Sequence, residues 1–214
     1  FYGLPLQNGY GMTEATAGVT VTRSSLGCED TSVGVPFPGV EVRLDIPPGA
    51  EDGVGEILTR GPHVMTGYYR KPEETAAVLG EDGFLRTGDL GRLDSAGRLH
   101  VVGRRKELII RSGFNVYPVE VEAALTEHPR VIQSAVVGRK IEGGNEDVIA
   151  FVLVAEGAEV TAAELKAHVA DRLSPYKRPG AYVIATELPA TPTGKILKHR
   201  LLDHFADRLS DPMR

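Results

Sequence analysis

A single cysteine, Cys28, in a chain of 214 residues excludes an internal disulfide and a clustered thiolate metal site, and that usage fits a reducing, cytoplasmic setting. No apolar run approaches the ~20 residues that a membrane-crossing helix needs, and the opening FYGLPLQNGYG lacks the basic and apolar regions of a signal peptide, so no transmembrane segment is expected. Neither sign of charge dominates. A formal net charge of -5 and a pI near 5.7 give no global reason to expect nucleic acid or an anionic membrane as partner, so any anion site must be local. The six histidines do not cluster: His199 and His204 read as surface residues of the last helix, and His128 as a cation suited to a helix end. Ser112 has no nearby pattern of histidine and carboxylate, which argues against a hydrolase triad. A phosphate loop of the form G-x-x-x-x-G-K-[ST] is missing too, because TPTGKIL has neither the earlier glycine nor a hydroxyl after Lys195. The chain starts without methionine, so a fragment or a processed product is expected.

What remains is ordinary globular material, 42% hydrophobic and 25% charged, enough for one large domain or two small ones. The first half, rich in glycine and proline, predicts short strands at 40–44 and 55–59, with one helix whose first position is Pro72 and whose first turn carries Glu73 and Glu74. From Arg98 onward, apolar strands alternate with amphipathic helices. Strands are expected at 99–102, near 108–110, at 131–137, 148–154 and 182–185. Helices are expected from Pro118, from Thr161 with capping-box spacing to Glu164, and after PTGKILK.

Three stretches carry chemistry. In NGYGMTEA, Gly9 and Gly11 flank Tyr10 so that backbone can approach a flat ligand, while Thr13 and Glu14 offer a hydroxyl and a carboxylate suited to a phosphate-bound magnesium ion. A glycine turn with an incidental aromatic is the plainer alternative. In FLRTGDL, Asp89 can accept two hydrogen bonds from vicinal hydroxyls, or cap its own turn. In PTGKILK, a turn of fixed path holds Lys195 at a chosen place, or Lys195 simply decorates the start of a helix.

Taken in order, YGMTE (10–14), GEILTRG (55–61), GYYRKPEET (67–75), RTGD (86–89), GRRKELIIRSGFNVYPVEVE (103–122) and PTGKILK (192–198) resemble the adenylate-forming family of acyl-CoA synthetases and adenylation domains. The resemblance runs through nearly the whole chain. It implies an α+β architecture: residues 1–105 as a β-rich remnant of the large AMP-binding domain, and 106–214 as the small, mobile α+β C-terminal domain. The family's upstream phosphate-gripping loop and most of its acyl pocket have no counterpart here, so the chain resembles the C-terminal portion of a longer enzyme and is expected to be inactive alone.

The resemblance also implies roles. Tyr10, between Gly9 and Gly11, would pack on adenine, Thr13 would contact phosphate, and Glu14 would help hold Mg2+. Asp89, assisted by Arg104, would bind ribose. Lys106 would be the hinge, Lys195 the catalytic lysine of the first half-reaction, and Ser112, Gly113 and Phe114 would line the path of the thiol. Lys177 either packs the second domain or meets phosphates of coenzyme A. The implied activity is an ATP-dependent acid–thiol ligase using a small carboxylic acid, ATP (released as AMP) and coenzyme A, together with the missing N-terminal part. The form NVYPVEVE favours a free-standing ligase over a domain that loads a carrier-protein thiol; a non-catalytic nucleotide-binding or interaction fragment is the reading from another class.

Overall fold

Antiparallel pairing dominates the first half of the chain in the computed structural model, which describes residues 3–48 and 53–209. Internal contacts divide the chain between Lys106 and Glu107 into two units. The outermost ends of the two expected domains, 1–2 and 210–214, lie outside the described residues.

In the first unit, β1 (Gly9–Tyr10), β2 (Thr20–Val21) and β3 (Val35–Pro36) form a small antiparallel sheet in that order. A second antiparallel sheet runs in chain order through β4 (Glu41–Asp45), β5 (Gly55–Arg60), β6 (Leu85–Leu93) and β7 (Leu99–Arg104). β5 is buried over Gly55 to Thr59, as befits an interior strand between β4 and β6. α1 (Pro72–Val78) has Pro72 in its first turn with Glu73 and Glu74, where carboxylates favour the helix dipole; it buries none of its residues. The Thr-Gly-Asp stretch, read from sequence as a turn, instead lies inside the nine-residue β6. Its turn chemistry survives as irregularity: Gly88 takes a φ of 73°, and register shifts fall between Glu56 and Leu58 and between Leu90 and Gly91.

The second unit opens on a hairpin of β8 (Ile109–Arg111) and β9 (Phe114–Val116), the latter not foreseen from sequence. Its two-residue turn, Ser112-Gly113, has φ of 53° and 83°, the left-handed pair that matches strand twist in tight hairpins. α2 (Pro118–Thr126), β10 (Val131–Lys140), β11 (Glu146–Val154), α3 (Ala162–Ala170), β12 (Ala181–Ala185), α4 (Lys198–His204) and α5 (Ala206–Leu209) follow. β11 is the centre of a mixed sheet, antiparallel to β10 and parallel to β12.

Period two along β11 explains the layering. Val148, Ala150, Val152 and Val154 pack with Val121, Leu125, Leu165 and Val169 of α2 and α3, while Ile149 and Phe151 pack on the other face with Val183, Leu201 and Phe205. With both faces covered, the strand reads as a continuous apolar run, and burying Phe151 completely contributes about 1.5–3 kcal/mol. At the start of α3 the Thr161 hydroxyl accepts from the Glu164 amide at 3.2 Å, the expected cap. The Glu164 carboxylate faces Arg130 at 3.5 Å and buried His128 at 3.6 Å.

Candidate active site

Residues 89 and 104 stand directly opposite each other in the β6–β7 ladder, which is why two motifs fifteen positions apart meet. Arg104 Nε lies 3.3 Å from Asp89 Oδ1, and the Tyr10 hydroxyl donates to Oδ2 over 2.7 Å. The Asp89 amide is capped by the Thr87 hydroxyl at 3.1 Å, which itself donates to the Ile57 carbonyl at 2.8 Å. Thr87 therefore does the local capping that an Asx turn would have asked of Asp89, and the carboxylate is left for side chains. Burial, reinforced by the Asp89 carboxylate, raises the Tyr10 phenol above its ordinary value, so it stays a proton donor at neutral pH.

A cavity of about 600 Å³ opens beside this pair, lined among others by Gly11, Thr13, Glu14, Glu56, Asp89 and Arg104. Tyr10 and Gly9 are not part of its wall. The Tyr10 ring is partly buried and packs against the cluster of Ala15, Val19 and Leu85. Glu14 is oriented by the Tyr68 hydroxyl, which donates to Oε1 at 2.9 Å, and by its own carbonyl, which accepts from the Met65 amide at 2.8 Å. Its other oxygen has no hydrogen bond among the described residues. No cluster of three or more metal-ligating side chains occurs among the described residues, so a metal would depend on one carboxylate and on oxygens of a bound phosphate. That is the donor set magnesium accepts.

The glycines of the loop also answer to the packing of the chain on itself. A Cβ on Gly11 would stand 1.7 Å from the Ala17 carbonyl oxygen, and one on Gly9 would stand 3.0 Å from that of Thr20. The close approach is the chain to itself, with Thr16 and Ala17 held at φ of 49° and 67°.

Sequence reasoning missed Glu56. Its side chain is only 7% exposed, with Oε2 accepting from Arg86 at 2.9 Å and Arg105 at 3.0 Å, and Oε1 from the Gly88 amide at 3.2 Å. The signal was an acid set inside the apolar run of GEIL, since a carboxylate is rarely buried unless paired.

In the second unit, the PTGKILK turn is fixed by backbone. The Thr191 amide donates to the Lys195 carbonyl at 2.8 Å, the Gly194 amide to the Thr191 carbonyl at 2.9 Å, and the Thr191 hydroxyl accepts from the Lys195 amide at 3.1 Å. Gly194 takes a φ of 83°. Lys195 is exposed, and its ammonium has no partner among the described residues. Ser112 and Gly113 occupy the hairpin turn, where the Asn145 side chain accepts from the Ser112 amide at 2.7 Å, and Phe114 stacks on Tyr176 at 4.7 Å. Lys177 binds both Glu120 oxygens at 2.6 and 2.7 Å, which favours packing of this unit over a free phosphate contact. His199 and His204 are exposed.

The AMP-binding enzyme family model matches residues 1–69, and the model of the AMP-binding enzyme C-terminal domain matches 120–195. The long-chain-fatty-acid–CoA ligase of Bacillus subtilis is 43% identical over 94% of this chain and 36% of its own length. Among solved structures, ATP-bound MatB from Rhodopseudomonas palustris is 34% identical with a TM-score of 0.83, over 96% of this chain and 42% of that one. The O-succinylbenzoate coenzyme A synthetase of Bacillus subtilis, in complex with ATP and magnesium ion, is 33% identical with a TM-score of 0.82, over 93% and 42% respectively. The chain thus spans about two fifths of the length of the relatives it matches. The mixed, sheet-rich α+β fold agrees with these neighbours.

Proposed function

The chain belongs to the adenylate-forming AMP-binding enzyme family, and on that premise we propose that it is part of an ATP-dependent acid–thiol ligase that makes an acyl-CoA through an acyl-adenylate. The observation that carries the reading is the convergence of Asp89, Arg104, Thr13 and Glu14 on one cavity, beside the CoA-ligase identity of the relatives. In this reading residues 1–105 close the AMP-binding domain, 106–214 form the C-terminal domain, and Lys106 is the hinge.

Asp89 accepts the ribose hydroxyls, held in place by Tyr10 and Arg104. Thr13 meets the α-phosphate. Glu14, oriented by Tyr68, would hold magnesium, which would screen phosphate charge. The Lys195 ammonium, unclaimed by any carboxylate among the described residues and carried on a fixed turn, offsets the repulsion between the attacking carboxylate and the phosphate it attacks as pyrophosphate leaves. In the second half-reaction a thiol passing Ser112, Gly113 and Phe114 attacks the acyl carbon, its proton leaves with solvent, and AMP departs.

The test is AMP release from ATP by the full-length ligase over short, medium, long and aromatic carboxylates, with and without coenzyme A. Release that needs both an acid and coenzyme A establishes the reaction and names the acid. Release that needs a phosphopantetheine-bearing carrier protein instead moves the reading to carrier loading, and no release with any acid overturns it. The 214-residue portion alone is expected to give no turnover.

A further inference from the structure

Lys198 is a cation in the first turn of α4, where the helix dipole disfavours positive charge, and its neighbour Leu197 provides no side-chain cap. What compensates is a pair of carboxylates. The Lys198 ammonium stands 2.9 Å from Glu107 Oε2 and 2.7 Å from Glu122 Oε1. Glu122 is itself fixed, since Oε1 also accepts from the Val136 amide at 2.7 Å. The side chains of Lys198, Glu107 and Glu122 are 25%, 30% and 18% exposed, so the cluster is more shielded than a surface pair. Glu107 is the first residue of the second unit. Between Lys198 and Lys195 lie two residues tied to the turn: the Leu197 amide donates to the Pro189 carbonyl at 2.8 Å, and Ile196 bridges to Ala190.

We infer that Lys198 is a positioning residue, which through Glu107 and Glu122 fastens the turn bearing Lys195 to the first residue after the division between the units. The catalytic ammonium and the residue next to the hinge then move as one piece, and a rotation at Lys106 reaches Lys195 without being lost in a loose loop. This rests on the ligase reading. It assigns a task to the second lysine of PTGKILK that the reaction itself leaves without one.

The experiment uses the full-length ligase and its Lys198→Met and Lys198→Arg variants. Lys198→Met is expected to slow acid-dependent ATP–pyrophosphate exchange by about tenfold to a hundredfold, the penalty of a misplaced catalytic group. Thioester formation from supplied acyl-adenylate should stay within about twofold, because only the first step needs Lys195. Hydrogen exchange over 188–197 should quicken, and Lys198→Arg should restore most of the rate by keeping the charge. If Lys198→Met leaves adenylation unchanged, or lowers both half-reactions together, the positioning role is overturned while the ligase reading stands. If the unsubstituted enzyme shows no acid-dependent exchange, the ligase reading fails and takes this role with it.

Discussion

The Tyr10 hydroxyl and the Asp89 carboxylate, 79 residues apart in sequence, share a 2.7 Å hydrogen bond that joins the glycine-rich loop to β6. Asp89 is thereby held by Tyr10 on one oxygen and Arg104 on the other. A carboxylate pinned at both oxygens presents its remaining lone pairs in a fixed direction, which suits a ligand with two adjacent hydroxyls.

Replacing Tyr10 by Phe removes that donor and keeps the packed ring, and should cost about 0.5–1.5 kcal/mol of stability. AMP affinity of the full-length enzyme should weaken by about threefold to tenfold, read by titration calorimetry. The variant also has a pH signature. Because the phenol's folded pKa lies above the unfolded value near 10, the folded state keeps a proton that the unfolded chain releases. Its contribution is whole below about pH 10 and is lost as pH rises toward the folded value. Tyr182, pushed up to about 12 by burial, adds to the same alkaline loss, so denaturation midpoints should fall less steeply above pH 10 in Tyr10→Phe, but not become flat.

Glu56 gathers two guanidinium groups and one amide on a carboxylate buried to 7% exposure. Replacement by Gln preserves size and one acceptor but removes the charge, and should destabilise by about 1–2 kcal/mol in urea melts. Arg86 and Arg105 are 44% and 66% exposed, so their share is screened by solvent and shrinks in high salt. Gln keeps an oxygen for the Gly88 amide, so the deficit belongs to the lost charge and should shrink as salt is added. A deficit that salt leaves unchanged would show that the two ion pairs contribute nothing.

Gly11 tests what the loop's glycines are for. A methyl there would meet the Ala17 carbonyl at 1.7 Å, a backbone atom that cannot swing aside. Gly11→Ala should therefore cost roughly 3 kcal/mol or displace the loop, through overpacking alone. Circular dichroism melts should register the loss before any nucleotide is added. If the variant is as stable as the parent and only nucleotide binding suffers, the glycine serves the ligand instead.

Much of this was legible in the chain because its elements obey local rules. β11 announces itself by an apolar run buried on both faces, α3 by Thr161 and Glu164, and α1 by Pro72. The Asp89–Arg104 pairing was less so, because it depends on β6 continuing through Thr-Gly-Asp, and turn residues in a strand are read as a turn until a partner strand overrides them. Glu56 was hidden for a related reason: its partners come from residues 86, 88 and 105, and only the β5–β6–β7 ladder brings those together. The Tyr10 hydrogen bond to Asp89 followed neither from spacing nor from aromatic character, since the two residues are 79 positions apart and meet only in the fold.

Lys195 is the residue for which stability and reaction should separate. Its ammonium makes no hydrogen bond or ion pair among the described residues, while its backbone does the work of closing the turn. Lys195→Ala leaves that backbone intact, so unfolding free energy should change by less than about 0.5 kcal/mol, as for an exposed side chain without partners. Adenylation by the full-length enzyme, followed as acid-dependent ATP–pyrophosphate exchange, should fall by roughly 10²–10³, the loss seen when a group aimed at developing charge is removed. Thioester formation from supplied acyl-adenylate should be spared, because the acyl carbon is then already activated and no carboxylate has to attack a phosphate. Equal loss of both half-reactions would mean that Lys195 only binds nucleotide, and an unchanged exchange rate would remove it from the chemistry altogether.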